Sequence, residues 1–223
     1  MEQANGRQLA DKWLKTRALL GHRQIAGHIP HTVPYNAGRL RGMTERHGMV
    51  VLKPVRGGGG YGLIRVAKVR RGYQLDYRAQ KTVYRSFAAV RSRVNRIRRG
   101  RPYLIQKGIR LTQVNGRPID YRVKYVKQDG VWRFRALVGR VARRGLFVTN
   151  LCQGGQMLTA AEGLRRSLSP RRVAAKKREM RVLTKLCTAV LERRFPGIGA
   201  LGYDYGIDRK GQIWILEVNT RPQ

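Results

Sequence analysis

Near its C-terminus the chain reads Gly202-Tyr-Asp204-Tyr-Gly-Ile-Asp208-Arg-Lys-Gly-Gln-Ile-Trp-Ile-Leu-Glu217-Val-Asn219-Thr-Arg-Pro222. Strand alternation predicts Ile213, Ile215, Glu217 and Asn219 on one face. A turn over 208–211 then folds Asp204 back beside Glu217. Two carboxylates and an amide oxygen facing one another are oxygen ligands for a hard cation such as Mg²⁺. On a face otherwise lined by isoleucine, unpaired acids would be costly without one. The competing reading pairs Glu217 and Asn219 with nearby arginines. Asp208 falls in the turn, where aspartate serves local hydrogen bonding.

A second chemical signal is Lys53-Pro-Val-Arg-Gly-Gly-Gly-Gly-Tyr-Gly62. A glycine run carries a large folding entropy cost, so something requires bare backbone there. Residues 57–62 satisfy G-x-G-x-x-G, but a dinucleotide turn must open a helix, and the residues after Gly62 alternate as a strand. No Gly-Lys-Ser/Thr follows, which excludes a P-loop. Two readings of this strand–loop–strand remain. One is a flap whose N–H groups of Gly57, Gly58, Gly59, Gly60 and Tyr61 close over phosphates, with the Lys53 ammonium reaching the same oxygens. The other is a mobile surface loop.

These groups need elements to hold them. Asp11 is expected to cap a short helix carrying Trp13, Leu14, Leu19 and Leu20, and Asn36 a second one stopped at Gly48. Strands are expected at 49–52, 61–66, 73–77 and 103–106. Val83, Phe87, Val90, Val94 and Ile97 recur at helical spacing and predict a helix over 82–99. Its arginines form either a solvated face or a binding surface. Residues 120–127 and 131–143 read as a hairpin turning at Asp129-Gly130. Arg140 falls on the strand face of Trp132, Phe134, Ala136 and Val138. It either meets a phosphate oxygen inside a cleft or exits to solvent at the strand end. Ser169-Pro170 starts a long helix ended at Pro196-Gly197, and 201–207 with 212–219 form the last hairpin. Hairpins interspersed with helices, without βαβ crossovers, make an α+β fold.

The bulk numbers narrow the class. With 48 Lys+Arg against 12 Asp+Glu, the net charge is +36, a field that attracts polyanions of any kind. The chain carries 42% hydrophobic residues in regular patterns, which argues against a disordered basic tail. No run reaches the length of a membrane span and residues 1–25 lack a signal-peptide core. Cys152 and Cys187 are distant and read as reduced thiols in a cytoplasmic protein. No Ser/His/Asp or Cys/His constellation competes, since all four histidines lie in the first 47 residues. No helix-turn-helix, zinc finger or RNP-type strand stands out, so nucleic acid is not the favoured partner.

A lysine and Gly-rich flap, a hinge strand, and Asp…Glu-x-Asn on a C-terminal hairpin together resemble the ATP-grasp superfamily. The closing Asp204…Glu217-Val-Asn219-Thr-Arg-Pro222 is similar to the end of D-alanine–D-alanine ligases. Lys12-Trp-Leu, Tyr103-Leu-Ile-Gln106-Lys-Gly-Ile109, Gly116-Arg-Pro-Ile-Asp120-Tyr-Arg122-Val and Asn150-Leu-Cys-Gln-Gly-Gly155 look most like the spore-coat-associated YheC/YheD family.

That resemblance, covering residues 11–222, implies an ATP-grasp fold of two lobes with ATP bound between them. The expected organisation is a helical lead-in over 1–48, a small lobe with the flap over 49–102, and a large lobe with the metal hairpin over 103–223. Lys53 would contact the α- and β-phosphates, and Gly57–Gly62 would cover them. Gln106, Lys107 and Ile109 would form the adenine hinge, and Asp120 would meet the ribose hydroxyls. Asp204, Glu217 and Asn219 would hold Mg²⁺. The implied reaction is ATP-dependent carboxylate–amine ligation through an acyl phosphate, with Lys53 and Arg140 as catalytic groups. The charge suggests an acidic peptide or protein acceptor. The alternative is a catalytically degenerate scaffold or spore-coat component that binds polyanions. Two departures from the pattern stand out. Many ATP-grasp enzymes have a further acceptor-binding domain where this chain has only its lead-in, so the acceptor site is expected to be partial or completed by another chain. D-alanine ligases carry an arginine two residues before the metal aspartate, and Gly202 stands there instead.

Overall fold

The computed structural model describes residues 6–222. Residues 1–5 and 223, at the outer ends of the expected segments, lie outside the described residues.

The first helices are α1 (Lys12–Leu20) and α2 (Arg23–Ala26). Asp11 caps α1 as expected, its carboxylate accepting from the backbone N–H groups of Trp13 and Leu14. Next come β1 (Thr32–Pro34), α3 (Ala37–His47) and β2 (Met49–Pro54). Asn36 caps α3, and Gly48 ends it in the left-handed region at φ 70°. After the glycine loop follow β3 (Ile64–Val69), β4 (Gly72–Tyr77), β5 (Gln80–Tyr84), α4 (Phe87–Arg98) and β6 (Tyr103–Lys107). The helix expected over 82–99 is therefore two elements. Residues 80–84 pair with β4 as an edge strand, in which Val83 is exposed, and Ser86 then caps α4. Thr82-Val83-Tyr84 is β-branched and aromatic, and that strand preference prevails over the accidental four-residue spacing from Val83 to Phe87.

Together β1-β6-β2-β3-β4-β5 form one six-stranded sheet. Its core is Leu40, Val50, Leu52, Ile64, Val66, Val90, Val94 and Ile105, with their buried neighbours. This compact unit spans Pro30–Ile109. The boundaries expected at 48/49 and 102/103 thus differ from those observed. β1 and β6 both hydrogen-bond into this sheet, which draws residues 30–48 and 103–109 into it.

The second unit comprises residues 6–29 and 110–222. It adds β7 (Gln113–Val114), β8 (Arg117–Gln128), β9 (Val131–Val141) and β10 (Gln156–Thr159). These are followed by α5 (Ala160–Ser167), α6 (Val173–Arg194), β11 (Ala200–Ile207) and β12 (Ile213–Asn219). The β8–β9 hairpin turns at Asp129 and Gly130, both with positive φ, as the Asp-Gly pair foretells. The sheet order is β10-β9-β8-β11-β12, with β7 beside β8. β10 and α5 carry no signal that the sequence reading recognised. The long helix begins as a 3-10 turn at Pro170–Arg172 and continues as α6. Its Met180, Leu183 and Cys187 enter the core. Thr184 and Thr188 bond the Tyr205 and Tyr203 hydroxyls at 2.9 and 2.8 Å, which fixes that face of β11 against α6. Asp204, between the two tyrosines, is thereby turned to the opposite face of the sheet. Among the described residues, no helix is long and apolar enough to cross a membrane.

Candidate functional site

The sheet face opposite α6 gathers the acidic and basic groups that the sequence nominates in this unit. Asp204 pairs in register with Glu217 on one side and with Arg122 on the other. Gly202 pairs with Asn219, and Asp120 with Arg140. Residues directly opposite in an antiparallel pair share a face, so Asp204, Glu217, Asn219, Arg122, Asp120 and Arg140 all belong to one.

Two β-bulges create this arrangement, and both overturn simple alternation. On β12, Glu217 lies opposite Asp204 and Ile215 opposite Tyr205, which leaves Leu216 as the extra residue. Ile213 and Ile215 therefore lie on the α6 side, and Glu217 and Asn219 on the other. On β9, Ala136 lies opposite Lys124 and Phe134 opposite Tyr125, with Arg135 extra. Arg140 thus shares its face with Ala136 and Val138. Trp132 and Phe134 instead pack against Tyr125, at ring distances of 5.3 and 4.3 Å. A bulge inserts one residue and reverses the side-chain parity beyond it, a common device beside functional sites.

The charges on this face are closely paired. Arg140 donates from Nε to Asp120 Oδ1 at 2.9 Å and from Nη2 to Asp120 Oδ2 at 2.5 Å, and reaches Asp204 Oδ1 at 3.0 Å. Arg122 forks onto Asp204, with Nη2 to Oδ2 at 3.1 Å. Only 4% of Asp120, 6% of Arg140 and 7% of Asp204 is exposed. Burial alone would push the Asp204 carboxyl up, but the Arg140 and Arg122 guanidiniums outweigh it and hold it below the usual carboxylate range. Burial raises Asp120, and the Arg140 fork and the Thr149 hydroxyl offset only part of that. Burial opposes the charge on Arg140 too, yet Asp204 and Asp120 hold its pKa well above the ordinary value, so it stays cationic.

Asp120, expected to meet a ribose, therefore spends both oxygens on Arg140. Arg140 neither exits to solvent nor stands alone, and Arg122 pairs with Asp204. Gly202 has a physical explanation: a Cβ there would lie 2.7 Å from Pro222 Cβ and 3.5 Å from Arg122 Nη1. The Arg122 guanidinium of β8 thus lies beside Gly202.

Mg²⁺ fits this donor set. No three His, Cys, Asp or Glu side chains gather to hold a metal among the described residues, so the set rests on two carboxylates and the Asn219 amide. Each carboxylate oxygen has two lone pairs, so Asp204 can accept from guanidinium and still face a cation. Glu217 lies 3.6 Å from Lys12 Nζ on α1. Lys15, one turn on and 3% exposed, donates to the Leu9 carbonyl. Burial pushes the Lys15 pKa down to about 8, against the opposing pull of Glu217. Lys15 escaped the sequence reading, although two lysines three apart on a capped, leucine-bearing helix were its visible trace.

In the other unit, Lys53 is buried on β2, opposite Leu104 of β6. The glycine loop has positive φ at Gly57, Gly59, Gly60 and Gly62, which explains its composition. Gly58 needs neither positive φ nor space. Tyr61, at the loop, is 64% exposed. A Cβ on Gly62 would strike Tyr103 Oη at 2.8 Å, and that hydroxyl donates to the Gly62 carbonyl. On the expected hinge, the Gln106 amide donates to Thr32 Oγ1 at 3.0 Å. The Lys107 and Gly108 N–H groups donate to the His31 and Met49 carbonyls, and Ile109 is half-buried.

A sequence model of the YheC/D like ATP-grasp family matches residues 2–223. The endospore coat-associated protein YheD of Bacillus subtilis strain 168 is 28% identical over 180 residues, which are 78% of this chain and 39% of that protein. The chain thus spans about two fifths of that relative's length. Among solved structures, D-alanyl-alanine synthetase A of Vibrio cholerae aligns with 96% of this chain and 55% of its own, at TM-score 0.58 and 12% identity. Carboxyaminoimidazole ribonucleotide synthase of Aspergillus clavatus, solved with ATP, aligns with 97% and 46%, at TM-score 0.59 and 15% identity. These likenesses establish the ATP-grasp fold.

Proposed function

The chain belongs to the YheC/D-like ATP-grasp family, and from that membership we propose that it is an ATP-dependent carboxylate–amine ligase. The observation that carries this reading is the bulge at Leu216, which sets Glu217 and Asn219 on the same face as Asp204, Arg122 and Arg140. A fold that only needed a stable sheet would gain nothing from collecting these groups there.

Each unit contributes its own nucleotide-binding groups in this proposal. Lys53 and the Gly57–Tyr61 flap take the phosphates, while Gln106, Lys107 and Ile109 take the adenine. Asp204, Glu217 and Asn219 are the residues that would hold Mg²⁺, which when bound would offset phosphate charge. Arg140 and Arg122 are fixed cations, clamped by Asp120 and Asp204, and stabilise charge growing on the transferring phosphoryl group without reorganising. The γ-phosphoryl group passes to a carboxylate oxygen of the substrate, giving an acyl phosphate and ADP. An amine nitrogen then attacks the acyl carbon, phosphate leaves with the C–O bonding pair, and the amine proton is released. Asp120 is assigned as the positioning residue for Arg140, with any ribose contact secondary.

The acceptor we assign is an acidic peptide or protein, because nucleotide binding uses only a few of 48 basic residues. The proposed location is cytoplasmic, with a spore association drawn from the relatives' names. The test is conversion of ATP to ADP in Mg²⁺, with and without a panel of acidic peptides paired with amines. Acceptor-dependent turnover is expected. Nucleotide binding without turnover on any pair would replace the ligase by a polyanion-binding scaffold.

A further inference from the structure

A cleft of about 270 Å³ opens in the unit of residues 6–29 and 110–222, and none of the nucleotide or metal candidates lines it. Leu111, Thr112, Gln113, Ser167, Leu168, Arg172 and Arg209 line it. Its two walls meet where α5 ends, α6 begins and the β11–β12 turn folds over. Arg172 is brought to that turn, since a Cβ on Gly211 would lie 2.7 Å from its Nη1. Arg209 sits in the turn itself.

Two features mark this place as unsatisfied. Arg172 and Arg209 make no ion pair among the described residues, and the acids beside them are engaged elsewhere. Asp208 Oδ1 accepts from the backbone N–H groups of Lys210 and Gln212, and Oδ2 from Trp214 Nε1. Glu179 pairs with Lys176 at 2.6 Å. The second feature is Thr112, only 5% exposed, whose buried hydroxyl has no hydrogen-bond partner. Buried polar groups are nearly always paired, so an orphan lining a cleft points to something that binds there. Leu111 and Leu168 give the cleft an apolar flank. Guanidiniums recognise planar oxyanions through paired N–H donors.

We propose that this cleft binds a small organic anion, its phosphate or carboxylate group held by Arg172 and Arg209 and its body resting on Leu111 and Leu168. The chemistry shared by both sources is an oxyanion on a compact molecule.

The test is calorimetric titration of the whole chain at low salt with inorganic phosphate, ribose 5-phosphate and succinate, which separates free phosphate, phosphate ester and carboxylate. Saturable binding of at least one probe, near one per chain, is expected. Arg172→Glu with Arg209→Glu should weaken it at least about tenfold. Thr112→Val should weaken it several-fold while leaving the free protein equally or more stable, because it removes an unpaired hydroxyl. Arg91→Glu with Arg96→Glu, on α4, makes the same change in net charge and should leave binding intact. No saturable binding of any probe, unchanged affinity in either cleft variant, or an equal loss in the α4 control would overturn the proposal. None of these readouts involves nucleotide turnover, so they stand or fall apart from the ligase reading.

Discussion

Replacing Arg140 by methionine removes the guanidinium that forks onto Asp120, while keeping a long apolar stem on the sheet face. Asp204 retains Arg122, whereas Asp120 is left with the Thr149 hydroxyl. Removing one partner of a buried ion pair costs about 3–5 kcal/mol, because the other charge stays uncompensated. At roughly 2–4 °C per kcal/mol for a chain of this size, the melting point of the affected unit should drop by on the order of 10 °C. Trp13, Trp132 and Trp214 all lie in the unit of residues 6–29 and 110–222, so tryptophan fluorescence during urea or thermal unfolding follows that unit alone. The loss should also depend on pH in a defined direction. Asp120 is already raised by burial, and losing Arg140 raises it further. Below its folded pKa but above its unfolded one, the native state binds a proton that the unfolded state does not. Stability then increases as pH falls, by up to about 1.4 kcal/mol per pH unit. The gap between Arg140→Met and wild type should therefore narrow from pH 7 to pH 5. Adding Asp120→Asn should recover much of the loss at pH 7, since neither charge remains. A cost below about 1 kcal/mol, within the range of ordinary substitutions, would refute the reasoning, as would a gap indifferent to pH.

Glu217→Gln should abolish ATP turnover yet leave the tryptophan-detected melting point nearly unchanged, since it removes a ligand oxygen's charge and no core volume; wild-type turnover would remove Glu217 from the metal set. Lys53→Ala should weaken ATP binding, and in wild type hydrogen exchange across Gly57–Tyr61 should slow on adding a non-hydrolysable nucleotide. Exchange that is identical with and without nucleotide would deny the flap its role. Lys15, with its folded pKa lowered to about 8, releases its proton earlier in the native than in the unfolded state. Wild type should therefore gain stability as pH rises from about 8 towards the unfolded value, whereas Lys15→Met should be flat over that range. Parallel pH curves for the two proteins would show that Lys15 is not desolvated.

Much of the architecture follows from short-range chemistry that a sequence displays openly. Asp11 and Asn36 cap their helices because a short side-chain oxygen can reach two bare N–H groups. Asp129-Gly130 turns a hairpin because both residues tolerate positive φ. The same locality makes the candidate residues legible, since a hairpin brings Asp204 level with Glu217 along the sheet. The facing of those residues is a different matter. Glu217 belongs with Asp204 only because Leu216 is the extra residue of a bulge, and Arg140 parts from Trp132 and Phe134 only because Arg135 is another. A bulge is decided by how a strand pairs with its neighbours, and alternation along one strand carries no trace of that partner. Residues 82–84 show the same limit, since their helical spacing yields to an edge pairing with β4. The Asp120–Arg140–Asp204–Arg122 cluster joins positions up to 84 residues apart. Its balance of two carboxylates against two guanidiniums exists only once three strands lie side by side, because charges sense one another through space and not along the chain.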